Sequence, residues 1–210
     1  MRLVIPYRLD PHQGYELRYC IRAFVKYYPG LSGVCLIGDK PKWYTGEHIP
    51  CADIPNRKEW SIVSKVMRSP YEEFIFSCDD VYPTVPVNSL PNYYSTPLAT
   101  AKVYGKYIDR TVNTMDVFPD GLFYDIHTPI IVQRSSFIAA HRLCDWEKKE
   151  YLSKSVYGNF IGGGVQMDDC KIRPGLPLDP SWPWFSTNGR TALELLPAMY
   201  PEKSDYEVKI

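Results

Sequence analysis

Three apolar runs at the start of the chain are separated by two stretches of helical periodicity, and this alternation constrains the fold more than any other feature. Leu3-Val4-Ile5-Pro6-Tyr7, Gly33-Val34-Cys35-Leu36-Ile37-Gly38 and Glu73-Phe74-Ile75-Phe76-Ser77-Cys78 read as buried strands. Between the first two, residues 16–28 place Leu17, Cys20, Ile21, Phe24, Val25 and Tyr28 at helical spacing, and Pro29-Gly30 closes the helix. Between the second and third, a short strand fits at 48–50. A helix fits at 56–68, with Asn56 as its cap and Trp60, Val63 and Met67 on one face. Strands that alternate with helices need crossover connections, so the sheet is expected to be mainly parallel. Such sheets bind ligands at the carboxyl ends of their strands, which puts the loops after Tyr7, Gly38 and Cys78 on one working edge.

The rest of the chain is less regular. Pro83, Pro86, Pro91 and Pro97 interrupt it early. The pattern predicts a short helix at 99–107, strand pieces at 123–127 and 130–133, helices at 135–144 and 190–199, and an extended charged tail at 202–210. With 210 residues and no linker or repeat, one domain over 1–210 is expected. Lys+Arg and Asp+Glu both total 24, so nothing here is a polycation that coats nucleic acid by bulk charge. No apolar run reaches the length of a membrane span, and the apolar start is too short for a signal-peptide core. The six cysteines form no C-x-x-C pair, and several sit inside apolar segments. They read as buried thiols of a reducing, cytoplasmic compartment rather than a zinc site.

Asp79-Asp80 is the sharpest chemical signal. Two adjacent carboxylates at the end of an apolar strand repel each other and welcome a cation, magnesium or manganese on oxygen ligands. The competing reading is a pair that caps the following loop. In Tyr124-Asp125-Ile126-His127-Thr128-Pro129, Asp125 and His127 would share one face of a strand, as base and metal ligand or as a structural pair before a Pro turn. Asp168-Asp169-Cys170-Lys171 follows Gly162-Gly163-Gly164, where backbone can approach a ligand and Lys171 can meet a phosphate. The alternative is a glycine turn beside solvated charges. Arg8 and Asp10 follow the first strand, while Arg57, Lys58 and Lys65 lie on the helix entering the acidic strand. Trp182, Trp184 and Phe185 are candidates for stacking on a sugar or base, or for plain core packing.

Taken together, Val4-Ile5-Pro6-Tyr7-Arg8, Ile37-Gly38-Asp39-Lys40-Pro41 and Phe74-Ile75-Phe76-Ser77-Cys78-Asp79-Asp80-Val81-Tyr82 resemble the GT-A type of nucleotide-sugar glycosyltransferase. The last segment looks like that family's D-x-D motif in an x-D-D form, and also like the acidic strand of Stealth-type sugar-phosphate transferases. Residues 124–129 and 200–207 look like segments of small phage and bacterial members. The resemblance implies an α/β, Rossmann-like GT-A domain, with a mixed, mainly parallel sheet flanked by helices. Residues 1–82 would be the nucleotide-binding half and 83–210 the acceptor-binding half. It implies Pro6, Tyr7, Arg8 and Asp39 beside the nucleotide, Lys171 on its diphosphate, and Asp79, Asp80 and His127 around Mn2+ or Mg2+. Asp125, or failing it Asp169, would be the base. The expected donor is a UDP sugar, and the expected acceptor is a hydroxymethylated DNA base or a glycan. Transfer of a sugar phosphate, and a binding protein without chemistry, are the alternatives.

Overall fold

The computed structural model describes residues 1–172, 179, 181–187 and 195–207. Its centre is a five-stranded sheet built from β1 (Arg2–Tyr7), β2 (Gly33–Gly38), β3 (Glu47–Pro50), β4 (Glu73–Phe76) and β7 (Ile130–Gln133). The strand order is β3-β2-β1-β4-β7. The first four strands are parallel, and β7 alone runs antiparallel, against β4. The fold is therefore mixed α/β with a mainly parallel sheet.

Helices cover both faces of this sheet. In β1, Leu3, Ile5 and Tyr7 enter the core beneath α1 (Tyr15–Tyr27), and Val4 enters the core on the opposite side. That opposite core is filled by α2 (Lys58–Met67) and α4 (Arg134–His141), through Val63, Val66 and Phe137 packed on Phe74 and Phe76. Burial on both faces explains why these strands read as continuous apolar runs rather than alternating ones.

The chain differs from the sequence expectation at several places. Asn56 does not cap α2. It takes a left-handed φ of 59°, and the first N–H groups of α2 are met by Glu150 instead, from Glu59 at 3.2 Å and Trp60 at 3.3 Å. The expected helix at 99–107 is a single 3-10 turn at Leu98–Thr100, followed by α3 (Lys106–Val117). Residues 123–127 are not a strand. They run beside α5 (Ser153–Ile161), a helix the sequence pattern did not suggest. Of the last predicted helix, the described part is α6 (Leu195–Met199), and 188–194 lies outside the described residues.

Smaller pairings finish the working edge. β5 (Val81–Pro83) pairs antiparallel with β9 (Trp184–Ser186), and β6 (Tyr93–Tyr94) pairs with β8 (Val165–Gln166). Lys171 bridges to Ser186, so the 170–172 segment joins the β5–β9 ladder. Trp184 and Phe185 are buried, with Trp184 against Phe24 and Phe185 stacked on Tyr82. These rings are core, not a platform for a sugar. Among the described residues, no helix is long and apolar enough to cross a membrane.

Candidate functional site at the carboxyl edge of the sheet

A cleft of about 970 Å³ opens where β1 and β4 end. Its walls come from the loop after β1, the start of α2, the end of β4, the segment at 125–127, the first turn of α5, and Lys171. The prediction that the strand ends share one edge is met. Asp39 donates its backbone N–H to the Tyr7 carbonyl at 3.1 Å, and its carboxylate accepts the Leu9 N–H at 2.8 Å. Two expected nucleotide contacts, Tyr7 and Asp39, are therefore not among the residues that line the cleft. Asp39 braces the loop, and the Tyr7 ring is buried with its hydroxyl donating to Asp10 at 2.8 Å. Pro6, Arg8 and Asp10 line the cleft. Asp10 also accepts the backbone N–H groups of His12 and Gly14, which fixes the turn leading into α1.

Asp79 and Asp80 follow β4 on the cleft wall. Burial, and then the charge of Asp80, push the Asp79 carboxyl well above the usual carboxylate range, with Glu16 and Asp10 adding to the crowding. Asp80 is held by both of its ends. Its carbonyl accepts the Thr187 N–H at 3.2 Å, and its carboxylate accepts the Ser186 hydroxyl at 3.1 Å.

Across the cleft, His127 and Asp169 form a close pair. The His127 Nδ1 lies 2.8 Å from an Asp169 oxygen, which also accepts the His127 backbone N–H at 2.9 Å. Burial pushes the Asp169 carboxyl up, but hydrogen bonds from His127 outweigh it and leave Asp169 below its ordinary value. The other ring nitrogen, Nε2, meets the Lys171 ammonium at 3.1 Å, and that ammonium lies 3.9 Å from Asp80. Because an ammonium only donates, Nε2 is the acceptor and Nδ1 carries the proton toward Asp169.

The expected three-ligand metal set does not form. Among the described residues, no three His, Cys, Asp or Glu side chains converge on one point. The space between Asp80 and His127, where a divalent ion would sit, holds the Lys171 ammonium. The residues present therefore do not fit that ion.

Asp125 lines the cleft while capping α5. Its two oxygens accept the N–H groups of Lys154 at 3.3 Å and Ser155 at 2.7 Å. A carboxylate has about four lone-pair sites, so two remain. Gly162, Gly163 and Gly164 are exposed with positive φ and form no part of the cleft wall, so the glycine run turns the chain toward β8 and does not cradle a ligand.

Two buried charged residues of the cleft wall, Lys154 and Glu59, escaped the sequence reading, and a third, Lys65, was noted there only by its place on the helix. Lys154 is buried, with its ammonium donating to the carbonyls of Ile126 and Thr128 (2.9 Å for Thr128) and no ion pair among the described residues. Lys65, read only as a helix charge, is buried and donates to the Tyr7 carbonyl at 2.9 Å. Glu59 is buried against Arg110 at 2.9 Å. The one local hint was a lysine set midway between Leu152 and Val156.

No protein-family model matches this chain, and no curated protein matches it. Among solved structures, it is similar to the apo form of the glycosyltransferase GlyE of Streptococcus pneumoniae TIGR4. That likeness has a TM-score of 0.38 and 11% identity, covering 74% of this chain and 41% of that one. A second GlyE structure gives 0.37 and 10% over the same shares. The chain spans about two fifths of the length of those chains.

Proposed function

We propose that the cleft binds a nucleotide sugar, a UDP sugar in the first instance, and transfers its sugar to an acceptor hydroxyl on a glycan or a hydroxymethylated DNA base. The observation that carries this reading is that Asp79, Asp80, Lys154 and Lys171 line one cleft at the carboxyl edge of a mainly parallel sheet, with the Lys171 ammonium 3.9 Å from Asp80. A volume of about 970 Å³ suits a ligand of nucleotide-sugar size.

In this reading the bond from the sugar to the diphosphate breaks, and negative charge gathers on the departing diphosphate. Lys154 and Lys171 are fixed donors aimed at that charge, and fixed donors act without reorganising at the moment of reaction. Each keeps an N–H to offer, since an ammonium has three and the structure uses two. Asp125 takes the proton of the acceptor hydroxyl through a free lone pair. Asp169 acts through His127 as a positioning residue, because its carboxylate is spent on that ring.

The test is incubation with a panel of UDP sugars and both acceptor classes, following released nucleotide. UDP release with sugar on the acceptor supports the reading. UMP release instead would indicate transfer of a sugar phosphate. No nucleotide release from any donor would overturn both forms of transfer.

A further inference from the structure

Lys171 sits where the sequence led us to expect a metal ion. We infer that the Lys171 ammonium is the cation of this site, and that the cleft holds a nucleoside diphosphate without a divalent ion. This inference rests on the nucleotide-sugar reading above.

The first support is position. The ammonium lies 3.1 Å from His127 Nε2 and 3.9 Å from the Asp80 carboxylate. The lone pair of Nε2, which a metal would need, is already accepting a hydrogen bond. A carboxylate on the far ring nitrogen is the arrangement that orients a ligating histidine toward its metal. Here Asp169 orients His127 toward Lys171 in the same way.

The second support is how the pair is mounted. The Ile172 N–H donates to the Ser186 carbonyl at 2.8 Å, and the Ser186 N–H donates to the Cys170 carbonyl at 3.1 Å. Ser186 also donates its hydroxyl to Asp80. Lys171 and Asp80 are thus set on the same small ladder, with Ser186 between them. A cation supplied by the chain and fixed by neighbouring strands is preorganised, as a functional site requires.

The third support is the charge balance. Lys154 brings a second ammonium to the cleft, and among the described residues its hydrogen-bond partners are two carbonyls. Two lysines therefore line the cleft that Asp79 and Asp80 also line, before any ligand arrives. A divalent ion bridging Asp80 and His127 would have to displace Lys171 from both.

Calorimetric titration with UDP, in EDTA and then with excess Mn2+, tests the inference. Wild-type protein should bind UDP in EDTA, with Mn2+ changing the Kd by less than about threefold. Lys171→Met should weaken UDP binding in EDTA by about tenfold or more, the scale of a lost charge-assisted hydrogen bond, while uridine affinity stays unchanged. Lys171→Arg keeps the charge and should keep most of the binding, which guards against a folding defect in the first variant. Binding that appears only with Mn2+ would overturn the inference and leave the nucleotide-sugar reading standing. Equal UDP affinity of Lys171→Met and wild type in EDTA would also overturn it. Absence of binding to UDP, GDP, CDP and dTDP under both conditions would overturn the nucleotide reading and the inference with it.

Discussion

Lys65, on α2, donates its ammonium to the backbone carbonyl of Tyr7 at 2.9 Å and so ties the middle of the sheet to the helix that walls the cleft. The same ammonium pairs with Asp53 across the cleft floor. Gly38 lies against both groups. A Cβ there would stand 2.0 Å from the Tyr7 carbonyl oxygen and 2.8 Å from the Lys65 nitrogen, at a φ of +129°. We predict that Lys65→Met costs about 1–2 kcal/mol, the scale of one lost charge-assisted hydrogen bond, because the Tyr7 carbonyl keeps the Asp39 N–H and Asp53 keeps Arg8 at 3.8 Å. Gly38→Ala is predicted to cost more, because the backbone itself must move. Urea denaturation of both variants checks the order. A Gly38→Ala protein as stable as wild type would contradict it.

Asp125 separates two roles that sequence could not. As a cap it holds the N–H groups of Lys154 and Ser155, and as a base it would take an acceptor proton. Asparagine caps helices about as well as aspartate but takes up no proton at neutral pH. Asp125→Asn can keep only one of these two N–H bonds, the shorter one to Ser155, so it should cost about 1 kcal/mol in urea while lowering the transfer rate far more, by about 10²–10⁴-fold. Unchanged turnover would make Asp125 a cap alone.

His141 is buried against Phe137 and Trp146, and neither ring nitrogen has a hydrogen-bond partner among the described residues. Burial lowers its pKa from 6.5 to about 3. Its neutral form is the one the fold accepts, so the stability it supports is complete above pH 6.5 and is lost as pH falls from 6.5 toward 3. His141→Phe keeps the aromatic contacts and removes the titration. The variant should resist acid better, with wild type losing up to about 1.4 kcal/mol per pH unit relative to it in that window. Parallel urea curves at each pH measure the difference, and identical pH profiles would contradict the prediction.

The strands were legible because both faces of β1, β2 and β4 are buried, which leaves unbroken apolar runs. Asp79-Asp80 was legible for the opposite reason, as charge where the run should have continued. What escaped the sequence reading is set by distant partners. Glu150 caps α2 from some ninety positions away, so Asn56 looked like the cap. The inward α5 was hidden because its first turn is satisfied by Asp125 rather than by a local capping residue. Lys171 could be guessed as a phosphate ligand, but its place between His127 and Asp80 depends on the pairing of 170–172 with β9.

Glu59 carries a pH dependence opposite to a stabilising carboxylate. Burial, and then the charge of Asp125, raise its pKa from 4.5 to about 7, against the pull of Arg110. The folded state therefore binds more protons than the unfolded state between pH 4.5 and 7. Stability from this group falls as pH rises through that range and is flat outside it. Glu59→Gln removes the titration, and Arg110 keeps Glu150 as a partner at 3.0 Å. The wild-type minus Glu59→Gln stability difference, read as a slope against pH rather than at one value, should decline from pH 4.5 to 7 by at most about 1.4 kcal/mol per unit. A difference that rises over that interval would mean that Arg110 holds Glu59 ionised at low pH, and the assignment of burial as the dominant cause would be wrong.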